Sequence, residues 1–136
     1  MANLFGGEKN LQTLLRTMQP VLMDGAWGFV TVAKGKPLPK DVEPLMTYRE
    51  AEGVTLILSE ADLTKSGLMH AFFCRGISLQ VNSSLYAVGF LATISETLAK
   101  AAMSINIVSA FHRDYIFVPH NRADEAVALL KKLAEK

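Results

Sequence analysis

Residues 72–133 carry hydrophobic patterns in the order strand, helix, strand, strand, helix, and this order constrains the fold more than any other feature. Alternating apolar residues predict three strands, at Phe72–Val81, Ile105–Phe111 and Tyr115–Val118. Apolar residues at helical spacing predict two helices, at Asn82–Ala102 and Ala123–Leu133. Asn82, Ser83 and Ser84 have side chains suited to capping the first of these helices. Arg113 and Asp114 are predicted to form the tight turn between the last two strands.

This order matches the ferredoxin-like plan, βαββαβ, in which helices cover one face of an antiparallel sheet. The plan needs one more strand than residues 72–133 supply. That strand comes either from a neighbouring molecule or from the first half of the chain. The predicted fold class is therefore α+β.

The first half of the sequence is less regular. The pattern predicts helices at Glu8–Met18 and Glu60–Gly67, a strand at Trp27–Ala33, and a second strand within Met46–Ser59. Prolines at positions 37, 39 and 44 exclude a regular helix or an inner strand over Lys34–Pro44. We expect this stretch to be a connecting loop.

The composition limits the classes of function. The formal net charge is +1 over 136 residues, without the basic patch of a nucleic-acid-binding protein. No apolar run approaches the roughly 20 residues that span a membrane, and residues 1–9 lack the pattern of a signal peptide. Cys74 is the single cysteine and cannot form an internal disulfide. We expect a cytoplasmic protein that contacts neither nucleic acid nor membrane.

Three stretches resemble the ACT domain, a ferredoxin-like regulatory module. They are Leu85–Leu91 (LYAVGFL), Leu98–Ile107 (LAKAAMSINI) and Ala123–Leu133. Further stretches are similar to a family of small paired ACT-like proteins and, distantly, to tandem-ACT arginine sensors: Tyr48–Leu58, Ser83–Leu85, Ala87–Gly89 and Phe117–Pro119. The resemblance implies two ACT-like units, at residues 1–67 and 68–136, of which the first is degenerate because Lys34–Pro44 replaces its first helix.

The resemblance also implies where a ligand binds. In amino-acid-binding ACT proteins the ligand lies between one unit's loop before the first helix and the second strand of an adjoining unit. Carried over to this sequence, the candidate ligand-binding residues are Ser83, Ser84, Val88, Gly89, Phe90, Asn106, Ile107 and Val108. Glu50 and Glu52 are candidates to bind an α-amino group. A glycine at a helix start lets a ligand approach the backbone, and free N–H groups there attract a carboxylate.

Each candidate also has a purely structural interpretation. Gly89 suits tight helix packing, Asn106 suits a bond to a neighbouring loop, and Glu50 and Glu52 suit a solvated strand edge. The three histidines lack metal-ligand spacing, and no acid–base or nucleophile–base pair stands out. We therefore expect no metal, no cofactor and no catalytic activity.

The predicted function is non-catalytic regulation through a small molecule, an amino acid, bound at the interface between ACT units. The alternative is an interaction or oligomerisation module that has the fold and no ligand. The charged fraction of 20% and the missing strand both indicate self-association into a homo-oligomer, a dimer or a tetramer.

Overall fold

The structure is a computed structural model that describes residues 6–136, and they form two compact units. The middle unit is Asp24–Arg75; the terminal unit consists of the described residues up to Met23 together with Gly76–Lys136. The helices are α1 Leu11–Thr17, α2 Glu60–Ser66, α3 Phe90–Lys100 and α4 Ala123–Ala134, with a short 3-10 turn at His120–Arg122. The strands are β1 Pro20–Leu22, β2 Trp27–Ala33, β3 Met46–Arg49, β4 Gly53–Ser59, β5 Ala71–Leu79, β6 Asn106–Ser109 and β7 Asp114–Pro119.

These bounds differ from the predicted ranges 1–67 and 68–136. Strand β5 contributes its first residues to the middle unit and its last residues to the terminal unit. Helix α1 belongs to the terminal unit because Leu14 and Met18 are buried in that unit's core. Among residues 6–136, no helix is long and apolar enough to cross a membrane.

The middle unit has the strand order β3-β4-β2-β5, with antiparallel pairing between β3 and β4, β4 and β2, and β2 and β5. This is the order of a ferredoxin-like sheet in which Lys34–Leu45, without helix or strand, replaces the first helix. The degenerate first unit is therefore seen in the structure. Its core lies between α2 and the sheet and consists of Val30, Val32, Leu56, Leu58 and Leu63.

Two sequence predictions concern helix α2 and the segment Met46–Ser59 of the middle unit. Helix α2 spans Glu60–Ser66 and ends before Gly67, as predicted. The strand predicted within Met46–Ser59 is present as β4, and it pairs with a further strand of the same segment, β3, which was not predicted. Glu50 and Gly53 exchange backbone hydrogen bonds of 2.7 and 3.3 Å and so close the turn.

The terminal unit has the strand order β1-β5-β7-β6, which is again ferredoxin-like. Strand β1 supplies the missing strand from the first half of the chain, through antiparallel pairing of Pro20 with Leu79 and of Leu22 with Ile77. Helices α1, α3 and α4 pack on the sheet around a core of Leu14, Met18, Ile77, Leu79, Phe90, Ile94, Leu98, Ile116, Val118, Ala126 and Leu130.

The predicted helix over Asn82–Ala102 was wrong at its start. Helix α3 begins at Phe90, and residues 82–89 form a loop. Ser83 and Ser84 do not cap the helix, because Ser83 donates its hydroxyl hydrogen bond to Asp114 and Ser84 accepts one from Tyr86 N. The predicted turn at Arg113 and Asp114 lies slightly earlier: Ala110 N donates to Arg113 O, and Asp114 begins β7.

Candidate ligand-binding site

A cavity of about 140 Å³ lies in the terminal unit. Its wall comes from the loop before α3, the first turn of α3, the end of β6 and the start of β7. The lining residues are Ser83, Ser84, Leu85, Ala87, Gly89, Phe90, Leu91, Ala92, Ser109, Ala110 and Asp114. Small and hydroxyl side chains predominate among them, so backbone groups are accessible to a bound molecule.

The first turn of α3 contributes a partial positive charge. Gly89 is the N-cap residue, in the left-handed conformation with φ of 93°, and it has no side chain to cap the helix. The first bond to its carbonyl comes from Thr93 N at 3.0 Å. The N–H groups of Phe90–Ala92 precede that bond and have no acceptor within the helix. These groups and the helix dipole favour an anion at this end of the cavity.

Asp114 contributes a negative charge to the same wall. Its residue is 6% exposed, and its carboxylate accepts a hydrogen bond of 2.9 Å from the Ser83 hydroxyl. Within the described part of the chain, no lysine, arginine or histidine forms an ion pair with Asp114. A buried carboxylate without a cation is unfavourable, and a bound cation would offset that cost.

The loop backbone is fixed by several hydrogen bonds. Ser83 N donates a hydrogen bond of 3.0 Å to His112 O, which links the loop to the hairpin of β6 and β7. Tyr86 N donates to Ser84 Oγ and Ala87 N to Ser84 O, both over 3.0 Å. These bonds give the cavity wall a defined shape without regular secondary structure.

The structure brings together only some of the residues predicted from the sequence. Four of them line the cavity: Ser83, Ser84, Gly89 and Phe90. Val88 is 84% exposed and does not line it. Strand β6 reaches the cavity only at its end, through Ser109 and the following Ala110.

The remaining predicted residues lie away from this wall. Asn106 is exposed, Ile107 packs against the core and Val108 is half-buried. Glu50 and Glu52 belong to the middle unit, where both are exposed at the hairpin turn. The Glu50 carboxylate accepts a hydrogen bond from the Thr55 hydroxyl, which is a local structural contact.

Sequence reasoning missed Asp114, although a signal for it was present. Asp114 lies in phase with Ile116 and Val118 on β7, and both are fully buried. A carboxylate in phase with core residues indicates a buried charge, because side chains alternate between the two faces of a strand. Assigning Asp114 to the turn concealed this pattern. No sequence feature marks the lining residues Leu91, Ala92, Ser109 and Ala110 as part of a site.

Comparison with known proteins identifies the family. One model described as an ACT domain matches residues 6–75, which is more than half of the chain, and a second ACT-domain model matches residues 73–132. This chain belongs to the ACT-domain family. A search of curated proteins finds no match.

Solved structures agree with the ACT assignment. The chain is similar to a Vibrio cholerae protein of unknown function, described as a possible transport protein: identity is 34%, coverage is 95% of this chain and 99% of that chain, and the TM-score is 0.80. It also resembles aspartokinase α and β subunits, with 15% identity, 88% and 99% coverage and a TM-score of 0.67. The regulatory subunit of aspartate kinase from Thermus flavus matches with 10% identity, 87% and 98% coverage and a TM-score of 0.60.

The two kinase likenesses show the fold alone at these identities. The family models establish that the chain is built from ACT domains. The fold class predicted from the sequence, ferredoxin-like α+β with a degenerate first unit, is confirmed.

Proposed function

We propose that this protein is a non-catalytic ACT-type regulator that binds an amino acid in the cavity of the terminal unit. One observation carries the proposal: the N-terminus of α3 and the buried Asp114 carboxylate line the same small cavity. A molecule that satisfies both must carry a negative and a positive group close together. An α-amino acid is such a molecule.

The chemistry assigns an orientation to the amino acid. The α-carboxylate accepts hydrogen bonds from the free N–H groups at the start of α3, where the helix dipole also favours it. The α-ammonium group lies at Asp114, with which it forms a charge-assisted pair. The hydroxyl groups of Ser84 and Ser109 supply further hydrogen-bonding partners in the wall.

The volume favours an amino acid with a short side chain. About 140 Å³ is below the roughly 300–1,000 Å³ of sites for drug-sized ligands. For comparison, an apolar cavity of about 150 Å³ is large enough to bind benzene.

A non-catalytic role fits the composition of the cavity wall. None of its eleven lining residues is a histidine, cysteine, lysine or glutamate. The Ser83 hydroxyl donates to the Asp114 carboxylate, which is a weak base for a serine, and no histidine or lysine lines the cavity to act as a stronger one. The ligand would act by binding alone, because a ligand stabilises the conformational or assembly state that binds it.

The regulatory signal is proposed to pass through contact with a neighbouring ACT unit of a second copy. Strand β6 is the last strand of the order β1-β5-β7-β6, so one of its edges is open to pair with another chain. Its end at Ser109 lines the cavity. A second copy that pairs there would close the site, which makes the protein a homo-oligomer, a dimer or a tetramer. A cytoplasmic location belongs to the same proposal, since Cys74 is a free thiol.

A second candidate function is protein interaction without a ligand. It is favoured by exposed apolar side chains beside the cavity: Leu85 is 61% exposed, Tyr86 78% and Val88 84%. Apolar side chains that are contiguous and exposed indicate an interaction surface. In this function, the ACT fold serves only to present that surface to a partner.

A thermal-shift screen of the twenty amino acids separates the two functions. An amino acid at about 100 times its dissociation constant adds roughly 2.7 kcal/mol to the free energy of unfolding. Asp114→Asn removes the negative charge and should abolish the shift. Asp24→Asn is the matched control because Asp24 is exposed in a turn of the middle unit. If none of the amino acids shifts the unfolding midpoint of the wild-type protein, the chain has the interaction function instead.

A further inference from the structure

The N-terminal segment Gly6–Leu11 runs beside the loop that forms one wall of the cavity. Glu8 N donates to Asn82 O over 2.8 Å, and Ser84 N donates to Glu8 O over 2.9 Å. Glu8 and Ser83 form an isolated parallel β-bridge at this point. These two bonds hold the loop from the side opposite to His112 and Asp114, which bind Ser83.

Gly7 brings the two backbones into close contact. It has φ of +122°, and a Cβ atom added there would lie 2.8 Å from Ser84 N and 3.0 Å from Ser84 Cα. Real Cβ atoms do not approach so closely, and the clashing atoms belong to the backbone, which cannot rotate away. Any larger residue at position 7 would therefore displace the loop or the segment.

The contact continues along the loop toward the start of α3. The Lys9 ammonium lies 5.7 Å from the centre of the Tyr86 ring, within the range of a cation–π interaction. A Cβ atom at Gly89 would meet Leu11 Cδ2 at 3.5 Å, which is ordinary van der Waals contact. The segment thus follows the loop from Asn82 to the start of α3.

The Glu8 side chain stiffens the segment itself. Its Oε2 atom accepts hydrogen bonds from Lys9 N and Asn10 N, each over 3.0 Å. Asn10 in turn caps α1, because its Oδ1 atom accepts from Thr13 N over 3.0 Å. The segment is thereby continuous with a helix that packs in the core of the terminal unit.

From these contacts we infer that Gly6–Leu11 is a positioning segment, which holds the loop Asn82–Gly89 in its binding geometry and so sets the affinity for the ligand. The effect on affinity rests on the proposed function. None of these segment residues lines the cavity. They act through Ser83 and Ser84, which do.

The test uses the full-length chain and two pairs of variants. Gly7→Ala introduces the clash with Ser84, and Gly25→Ala is its control because Gly25 also has positive φ, +81°, with open space around its Cβ position. Glu8→Ala removes the acceptor of two N–H groups, and Glu8→Gln keeps an oxygen there. For each protein the exchange rate of the Ser84 amide is measured by NMR, and the affinity for the amino acid that binds wild type is measured by calorimetry.

Gly7→Ala should accelerate Ser84 exchange and weaken the affinity, each by about tenfold or more, whereas Gly25→Ala should leave both within about twofold. Glu8→Ala should change both by about threefold, and Glu8→Gln should restore them. If Gly7→Ala does not fold, Glu8→Ala and Glu8→Gln still test the role of the segment. Faster Ser84 exchange with unchanged affinity, or no change in either quantity, would overturn the inference.

The same experiment separates failure of the inference from failure of the proposed function. If wild type binds no amino acid, the proposed function fails and with it the effect on affinity. Ser84 exchange alone then tests whether the segment fixes the loop. Faster exchange in Gly7→Ala and Glu8→Ala would support this structural role, and unchanged exchange would refute it.

Discussion

Asp114 is the residue that gives the cavity its charge. It lies on the same face of β7 as the core residues Ile116 and Val118, and it is buried as they are. One hydrogen bond from Ser83 does not replace the hydration that a carboxylate loses on burial. The residue is therefore expected to lower the stability of the empty protein and to gain a partner when an ammonium group binds.

Asp114→Asn should thus have opposite effects on stability and binding. An amide keeps the acceptor for Ser83 and carries no charge, so the midpoint of urea unfolding without ligand should stay the same or rise, while amino-acid binding is lost. Chemical denaturation followed by circular dichroism measures the first effect and calorimetry the second. A lower midpoint together with normal binding would show that Asp114 serves the fold alone.

Cys74 provides a second test at the level of one residue. Burial raises the pKa of its thiol from 9.0 to about 12, and the thiol donates a hydrogen bond to Trp27 O over 3.5 Å. At pH 8 the folded protein should react with a disulfide reagent such as DTNB only at the rate of unfolding, since the thiolate is the reactive form. Rapid labelling of the native protein would contradict the burial of Cys74, and Cys74→Ser provides the blank.

The same pKa shift has a consequence for stability. The unfolded chain releases the thiol proton near pH 9.0, whereas the folded chain keeps it until about 12. This contribution to stability is complete below pH 9.0 and is lost as the pH rises from 9.0 to 12. Cys74→Ala, which has no thiol, should show a weaker decline of the unfolding midpoint over that range.

At the level of elements, the start and the end of α3 are held in different ways. Its N-terminus is left uncapped beside the cavity, whereas its C-terminus is bound by Arg122, whose guanidinium donates to Ala101 O and Ala102 O over 2.9 and 3.0 Å. Arg122 also pairs with Glu125 through two hydrogen bonds of 2.8 and 2.9 Å. The end of α3 away from the cavity is thus anchored to the start of α4.

Arg122→Ala should free the C-terminal carbonyls of α3, so the unfolding midpoint should fall and amides near Ala101 should exchange faster. Arg122→Lys should restore little, because an ammonium lacks the planar fork that reaches both carbonyls and the carboxylate. Glu125→Gln is the milder control. Equal stability of wild type and Arg122→Ala would contradict this role of the side chain.

The pair also predicts a pH dependence. The hydrogen bond from Arg122 lowers the pKa of Glu125 and raises that of Arg122. The contribution of Glu125 to stability is therefore present above the usual carboxyl pKa and is lost as the pH falls through the lowered value. The Glu125 carboxylate is exposed, so the effect on stability is small. Glu125→Gln should remove the loss of stability that the pair causes at acid pH.

The elements that the sequence predicted well are those whose pattern is local. Strand β2 has its predicted bounds because Val30 and Val32 alternate with exposed residues. Helix α2 was predictable from Gly67, which ends it. The start of α3 was not, because Ser83 and Ser84 resemble helix caps, whereas the Ser83 hydroxyl donates to the distant Asp114 and Ser84 Oγ accepts from Tyr86 N.

At the scale of the whole chain, both units reach the same strand order by different routes. The middle unit uses the first part of β5 as its last strand, and the terminal unit takes β1 from a position ahead of its other strands. Strand β1 has only three residues and begins with Pro20, so no periodic pattern marks it. Its pairing with Leu79 joins residues far apart in sequence, which local patterns cannot predict.

Two features of the terminal unit predict that the chain self-associates. The open edge of β6 and the exposed apolar Val88 favour a dimer or a tetramer at micromolar concentration. Light scattering after size exclusion measures the mass. Val88→Asp should shift the protein toward monomer, whereas Met69→Asp, at a 94% exposed position of the middle unit, should not. A monomeric wild type would contradict the prediction.

We propose that an amino acid binds between the start of α3 and Asp114, which line the same cavity. An NMR titration of the ¹⁵N-labelled chain with the amino acid that gives the largest thermal shift tests it most directly. We predict saturable shifts of the Phe90, Leu91 and Ala92 amides that are absent in Asp114→Asn. Saturable shifts confined to other residues, or no saturable shift at any amide, would contradict the account.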